Sequence, residues 1–318
     1  MAKYIFKRIL LLIPSMLLVA TIIFAIARMV PGGMVNAILE SDGKQLTEER
    51  VEKMTRKLGL DDPLVVQYFK YIAGLFTGDW GNSIDNGRPT FQNIKAVWEP
   101  TLLITVYSTL ITVILAIPLG IFSATHRNSL ADYAINSASV VVMSIPPFIL
   151  GLFLIYVFAF KLHLFPSTGY MRIEKKGLWY SLYHLTLPSF ALGLQNVATL
   201  ARHTRSAMLD VLNEDYIRTA RSKGLSKSRV YYKHALKNTL SIVATLVVGI
   251  IVELLSGAVI IEAAFNLRGM GSLLISSAVE RDFYQMQAII LLFAFVYLII
   301  ALLLDIFYKY LDPRIDFD

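Results

Sequence analysis

The residues that could perform chemistry in this sequence are sparse, and their spacing excludes the common catalytic arrangements. The five histidines show no metal-ligand spacing and no H-E-x-x-H. The sequence has no G-x-S-x-G nucleophile motif and no G-x-x-x-x-G-K-[ST] phosphate loop. It has no cysteine either, which excludes disulfides and Cys-ligated zinc. We therefore predict no catalytic residue, no metal site and no cofactor in this chain, which makes it a non-catalytic protein.

One acidic residue, Glu253, is conspicuous because it lies inside a long apolar run. An acid near the middle of a bilayer is costly and marks a functional site by default. Glu253 belongs to a small and polar stripe with a spacing of about four, which also contains Thr245, Gly249, Ser256 and Gly257. We expect Glu253, Gly249 and Ser256 to line a solute path and Glu253 to favour cationic groups, such as a peptide amino terminus. A protonated or paired structural glutamate is the alternative.

A second polar pair, Gln195 and Asn196, interrupts another apolar run. These side chains are also candidates for the solute path, because polar groups in a membrane helix avoid lipid. Hydrogen bonding between helices is the explanation that we favour for them.

The elements that must position these residues are membrane helices. Hydrophobic residues make up 56% of the 318 positions and charged residues only 17%, whereas soluble proteins carry about 25%. Lipid admits only helices or closed barrels, and these apolar runs are too long and continuous for barrel strands. We predict an all-α membrane protein with six transmembrane helices, at Ile9–Val30, Pro100–Ser123, Ile135–Phe160, Leu185–Ala201, Leu240–Ile261 and Tyr284–Tyr308.

The first apolar run also has features of a signal peptide. Lys3, Lys7 and Arg8 precede the run Ile9–Ala27. Because this run exceeds the roughly 7–15 apolar residues of a signal peptide and further spans follow, we expect a retained first helix.

The basic residues indicate the topology. The net charge is +7, which can signal nucleic-acid binding, but much of it is concentrated in residues 202–238. Short loops rich in Lys and Arg stay in the cytoplasm, so this distribution predicts membrane orientation and no nucleic-acid partner. With six spans, both termini are then cytoplasmic, including a tail at residues 309–318.

Residues 31–99 are expected to form an extracytoplasmic domain between the first two helices. Thr47 can cap a helix that ends near Gly59. Asp62 can cap a second helix, with Pro63 in its first turn, that continues to about Phe76. Residues 100–308 then form a five-helix core, in which Pro146-Pro147 should bend the third span and Pro188 the fourth.

The loop at residues 202–238 is predicted to contain two short helices. Tyr216 to Lys223 can form one helix that is stopped by Gly224, and Val230 to Leu236 can form another. Such a protruding helical knob can insert into a groove of a partner protein. Positive-inside bias alone is the alternative explanation of its charge.

This loop resembles the permease loop of the oligopeptide, dipeptide and nickel importers of the ATP-binding-cassette class. It reads D-Y-I-R-T-A-R-S-K-G-L-S from Asp215 and K-H-A-L-K-N-T-L from Lys233. It departs from the general motif E-A-A-x-x-x-G-x(9)-I-x-L-P at the Glu, the first Ala, the Ile and the Pro. Further family-like segments include L-G-L-D-D-P-L from Leu58 and R-D-F from Arg281. Before Gly269, where the family usually has proline, this sequence has Arg268. The long loop after the first span resembles that of the B-type permease, which is one of the two permeases that pair in these importers.

The resemblance implies a permease subunit in a bacterial cytoplasmic membrane, where it forms half of the path for oligopeptides or dipeptides. The implied partners are a second homologous permease, two cytoplasmic ATP-binding subunits that hold ATP and Mg, and an extracytoplasmic solute-binding protein. The mechanism would be alternating access. The residues implied to couple to the ATPase are Arg218, Thr219, Ala220, Arg221, Lys223, Gly224 and Leu225.

Three other functions remain open at this point. Nickel or metallophore uptake belongs to the same family and leaves no distinguishing mark in the chain. A self-sufficient secondary carrier would normally show inverted repeats and ion sites at the bilayer midplane, and neither is visible. A membrane receptor or scaffold would have no ATPase partner, so the protruding helices around Gly224 would have nothing to bind.

Overall fold

The computed structural model describes residues 2–29, 35, 36, 39 and 47–311, and these residues are predominantly helical. Within them the only pairing between extended residues is an isolated bridge, Asn82 to Pro89. The all-α fold is thereby confirmed. In chain order the helices are α1 (Ala2–Arg28), α2 (Glu48–Lys57), α3 (Leu64–Thr77), α4 (Thr90–Thr125), α5 (Leu130–Met143), α6 (Pro147–Leu154), α7 (Ile173–Lys176), α8 (Leu178–Leu212), α9 (Asp215–Ser222), α10 (Lys227–Arg229), α11 (Leu236–Ala264), α12 (Met270–Val279) and α13 (Phe283–Leu311).

Four of the described helices, α1, α4, α11 and α13, are long and apolar enough to cross a membrane. A fifth crossing is available if α5 and α6 count as one, because together with the π-helical segment Ile155–Lys161 they form a pair bent by 103°. The bend falls at Pro146-Pro147, as predicted, since proline cannot donate the backbone hydrogen bond that a continuous helix needs.

The remaining predicted span corresponds to α8, which is long but less apolar than the others. It runs without interruption through Pro188. Its packing explains its composition, because it contacts α5, α6 and α11 along its length. A helix that is surrounded by its own chain can carry polar residues that lipid would reject. Its buried polar residues include Ser181, Ser189, Asn196 and Thr204.

The chain forms two compact units, one of residues 1–98 and 268–306 and one of residues 99–267 and 307–318. The predicted domain order did not anticipate that residues near both ends of the chain would share a unit. The core of the second unit is an apolar cluster that includes Ile104 of α4, Leu192 of α8, Leu254 of α11 and Phe265, which follows α11 directly. Gly120 of α4 allows close packing there, since a Cβ atom would lie 2.6 Å from the Ala201 carbonyl oxygen.

In the first unit, α2 and α3 occupy the predicted helical stretches. α2 follows Thr47 and is succeeded by Gly59, whose φ is +62°. The predicted cap of α3 is wrong by one residue, because the helix begins at Leu64 with Pro63 rather than Asp62 at the N-cap. Proline fixes its own φ and needs no side-chain oxygen to start a helix.

Several predicted boundaries differ from those observed. α4 begins at Thr90, so Pro100 lies inside a helix rather than at its start. α8 continues to Leu212, so the predicted loop 202–238 begins on a helix. The predicted second loop helix is not separate, because α10, the π-helical segment Val230–Ala235 and α11 follow one another directly. The extensions carry polar and charged residues, among them Lys95 in α4 and Arg205 in α8, so a boundary drawn from hydropathy leaves them out.

Candidate coupling helix and translocation face

The helix α9 stands between α8 and α10 and is amphipathic. Its first residue is Asp215, which suits the positive end of the helix dipole. After α9 the chain turns at Gly224, whose φ is +76°, a conformation that favours glycine. The Gly224 amide donates to the Arg221 carbonyl at 2.9 Å. The predicted helix and its glycine stop are both confirmed.

The inner face of α9 is seated on an apolar cluster that belongs to the second unit. Ile217 is fully buried and Ala220 is 7% exposed. They pack with side chains from the end of α4, the end of α8 and the π-helical segment. The members from those elements are Ile121, Ala124, Met208, Val211, Leu212, Val230 and Ala235. The helix α9 is therefore packed against two long helices, α4 and α8, and burial of apolar area stabilises this contact.

The outer face of α9 carries the other predicted coupling residues. Arg218, Thr219 and Arg221 are exposed, as are Lys223 and Gly224 in the turn, and Leu225 is half-buried. Arg218 pairs with Asp215 at 3.2 Å across one helical turn, an exposed contact worth little to stability. The buried position of Ala220 separates it from the rest of the predicted set. The outer face is a compact basic surface.

The predicted path residues of α11 lie on one exposed face. Gly249, Glu253 and Ser256 are exposed, and a Cβ atom at Gly249 would meet nothing within 4 Å. Gly257 differs, because its Cβ position lies 2.9 Å from a methyl carbon of Leu192 on α8. The predicted stripe is therefore divided. Gly249, Glu253 and Ser256 lie on an exposed face, whereas Gly257 lies in the contact between α11 and α8.

A second acid of α11, Glu262, is fully buried and accepts a hydrogen bond from the Thr101 hydroxyl at 2.5 Å. The alternative that was considered for Glu253, a glutamate paired within the helix packing, is therefore what the structure shows at Glu262. Sequence reasoning did not assign Glu262 a site, although its place at the end of an apolar run was a usable signal.

The two polar residues of α8 lie in different environments. Gln195 donates through its side-chain amide to the carbonyls of Met143, at 3.4 Å, and Ile145. These carbonyls lie at the bend before Pro147, where the helical ladder is broken. Asn196 is 5% exposed and points into the helix packing. Gln195 therefore joins α8 to the bend, and the role of both residues in a solute path stays a prediction.

A polar cluster around Asp132 was missed by the sequence analysis. Both carboxylate oxygens accept hydrogen bonds from Arg205 of α8, each at 2.7 Å. Ser123 of α4, the Asn128 amide and Asn136 also donate to this carboxylate. Hydrogen bonding to Asp132 raises the pKa of Arg205, against the opposing effect of burial. The only sequence signal was Ser129, which caps α5 by accepting from the Asp132 amide.

Comparison with known proteins identifies the architecture. Residues 116–317 match the family described as binding-protein-dependent transport system inner membrane component, and residues 1–110 match the N-terminal family of the same membrane components. The chain belongs to this family. It is a membrane permease subunit of an ATP-binding-cassette importer, and the family works with a solute-binding protein and an ATPase.

Two relatives match this permease over nearly the whole of both chains. The oligopeptide transport system permease protein AppB of Bacillus subtilis (strain 168) is 37% identical over 319 residues, covering 100% of each chain. The glutathione transport system permease protein GsiC of Escherichia coli (strain K12) is 36% identical over 315 residues, covering 99% of each chain.

A solved structure supports the same fold. The crystal structure of an amino acid ABC transporter with histidines superimposes with a TM-score of 0.51 at 16% sequence identity. The match covers 69% of this permease and 94% of that chain.

Proposed function

We propose that this permease forms half of the translocation path for oligopeptides or dipeptides in a bacterial cytoplasmic membrane. A second homologous permease completes the path, and two cytoplasmic ATP-binding subunits supply the work of ATP hydrolysis with Mg. Both termini and α9 face the cytoplasm. An extracytoplasmic solute-binding protein delivers the solute.

The observation that carries this proposal is the two-sided character of α9. Its apolar side is fixed to α4 and α8 through Ile217 and Ala220, and its basic side is open. A short helix with one face anchored and one face free suits insertion into a groove of a partner. Movement of the ATPase can then reach the membrane helices through α9. The residues of this contact are Arg218, Thr219, Arg221, Lys223, Gly224 and Leu225, whereas Ala220 belongs to the anchored side.

The open face of α11 supports the path itself. Gly249, Glu253 and Ser256 lie on one side of this helix and are exposed, and a Cβ atom at Gly249 would meet nothing within 4 Å. In a pair of permeases this face meets the solute, and Glu253 attracts a cationic group such as a peptide amino terminus. Alternating access exposes it to each side of the membrane in turn.

The peptide class rests on the names of the relatives, one an oligopeptide permease and one a glutathione permease. Uptake by whole cells with and without this permease tests it. The medium contains a defined mixture of oligopeptides, dipeptides, glutathione and trace nickel, and depletion of each is followed by mass spectrometry. Loss of peptide uptake supports the proposal. Loss of nickel uptake alone overturns the peptide assignment and moves the permease to metal import.

A further inference from the structure

The helix α5 is fastened to α8 at both of its ends. In its first turn, Asp132 accepts two hydrogen bonds from Arg205, each at 2.7 Å. At its last residue, the Met143 carbonyl accepts from Gln195, which also binds the Ile145 carbonyl in the bend. The two contacts differ in chemistry. At one end of α5 the contact is an ion pair, and at the other end the Gln195 side-chain amide donates to backbone carbonyls at the proline bend.

The spacing of the fastenings shows that the two helices are in register. Asp132 and Met143 are eleven residues apart along α5, a rise of about 17 Å. Arg205 and Gln195 are ten residues apart along α8, a rise of about 15 Å. The helices therefore run antiparallel with matched lengths between contacts, and neither can slide along the other without breaking one end.

The ion pair also reaches α4. The Ser123 hydroxyl and the Asn136 amide both bind the Asp132 carboxylate, so α4, α5 and α8 meet at one buried group. The side chain of Asp132 is 3% exposed and that of Arg205 is 24% exposed. A bidentate guanidinium–carboxylate contact fixes orientation as well as distance. We call this set of residues (Ser123, Asp132, Asn136 and Arg205) the clasp.

The clasp lies close to the coupling helix along the chain and beside the same two helices. Arg205 is seven residues before the end of α8, and only Asn213 and Glu214 separate α8 from α9. The apolar cluster under α9 contains Ile121 and Ala124 of α4, on either side of Ser123 of the clasp. Apolar contact has no preferred direction, so the cluster alone holds α9 without fixing α5.

We propose that the Asp132–Arg205 pair is a positioning contact for transport, which makes α5 and the bend after it move with the coupling helix. The proposal rests on the function proposed for α9. Without the clasp, α9 and α8 still follow the ATPase, but Gln195 holds α5 to α8 only at its far end, so its first turn no longer follows α8. ATP hydrolysis then continues while the solute path fails to open in step with it.

The test uses the complete importer in proteoliposomes and compares solute moved with ATP hydrolysed. The probe is the same mixture of oligopeptides, dipeptides and glutathione, quantified by mass spectrometry. Unbound ATPase is removed by size-exclusion chromatography before reconstitution, so that hydrolysis by unassembled subunits does not lower the ratio of solute to ATP and imitate uncoupling. The variants are Arg205→Gln, the conservative Arg205→Lys, and the double change Asp132→Asn with Arg205→Gln, which leaves no unpaired buried charge. Asp210→Asn is the matched control, because it removes a charge from the same helix at an exposed position about 140° around the helix axis from Arg205.

We expect the ratio to fall about fivefold or more in Arg205→Gln and in the double variant, the lower range of a typical coupling free energy. Arg205→Lys should recover part of the ratio, and Asp210→Asn should match the unchanged permease. A fall of transport and hydrolysis in equal proportion, with the ratio preserved, overturns the proposal. Failure of the unchanged permease to move any of these solutes would instead count against the proposed peptide function.

Discussion

Two buried carboxylates, Asp132 and Glu99, are held in different ways within the same unit. Glu99 accepts from the Tyr170 hydroxyl at 2.5 Å, the Ile173 amide at 2.8 Å and Arg172 at 3.3 Å. Its arginine partner is 36% exposed and makes one hydrogen bond to the carboxylate. The clasp instead has two hydrogen bonds from an arginine that is 24% exposed.

The partners explain the difference. Tyr170, Arg172 and Ile173 all lie in one segment around α7, so Glu99 fastens a loop to a long helix. Burial and then donation to Glu99 raise the pKa of the Tyr170 hydroxyl, which therefore stays protonated. The donors to Asp132 come from three separate helices and the turn between two of them. The Asp132–Arg205 contact is thus tighter and lies where three long helices keep a common register. The looser contact of Glu99 joins a single loop to α4.

The largest expected effect comes from breaking the clasp. Arg205→Ala leaves the Asp132 carboxylate buried without its counter-charge, and should lower the free energy of unfolding by about 3–5 kcal/mol. Denaturant titration of the purified permease in detergent measures this change. The double variant Asp132→Asn with Arg205→Gln should lose clearly less, and an equal loss in both would show that the charge itself is not what matters.

The next effect concerns the close packing of α4 and α8 near the clasp. Gly120→Ala places a methyl group 2.6 Å from the Ala201 carbonyl oxygen and from the Thr204 side chain, so it should cost about 1–3 kcal/mol. Gly249→Ala is the matched control, because its methyl group meets open space on α11 and helical alanine is favoured over glycine. Comparable melting temperatures for these two variants would contradict the tight contact.

A smaller effect is expected at the other carboxylate. Glu99→Gln keeps an acceptor for Tyr170 but removes the charge that Arg172 and the Ile173 amide face. Since Arg172 is partly solvated, we expect a loss of about 1 kcal/mol in the same denaturant titration. A loss as large as that of Arg205→Ala would remove the distinction between the two sites.

The smallest effect on stability is expected at the basic face of α9. Arg221→Glu changes an exposed side chain and should alter the free energy of unfolding by less than about 0.5 kcal/mol. It should nevertheless reduce the amount of ATPase that co-purifies with the permease, because the charge of the docking face is reversed. Arg229→Glu, also exposed but outside α9, is the control and should leave co-purification unchanged.

The sequence was sufficient for the helical class, the bend at Pro146-Pro147 and the short helix α9. Each of these depends on local signals: apolar length, a proline pair, or a helical stretch followed by Gly224. The apolar runs also located the helices well, although their ends were misjudged wherever α4 and α8 continue beyond the apolar stretch.

The clasp could not have been predicted in the same way. Asp132 and Arg205 are 73 positions apart, and each has an ordinary local explanation, a first-turn acid and one member of a basic group. Their contact depends on the antiparallel packing of α5 and α8, which no periodicity reports. Glu253 and Glu262 teach the same lesson, since both lie in α11 and only the helix packing decides which of them is buried.

The most direct test of the central claim asks whether α9 touches the ATPase. The chain contains no cysteine, so Thr219→Cys introduces a single thiol on the open face of α9 that can carry a photoactivatable crosslinker. Leu130→Cys, at a position 90% exposed at the start of α5, provides the control. In the assembled importer, we predict a covalent adduct with the ATPase from position 219 and far less from position 130. A transport-competent importer that forms no such adduct from position 219 would contradict the account.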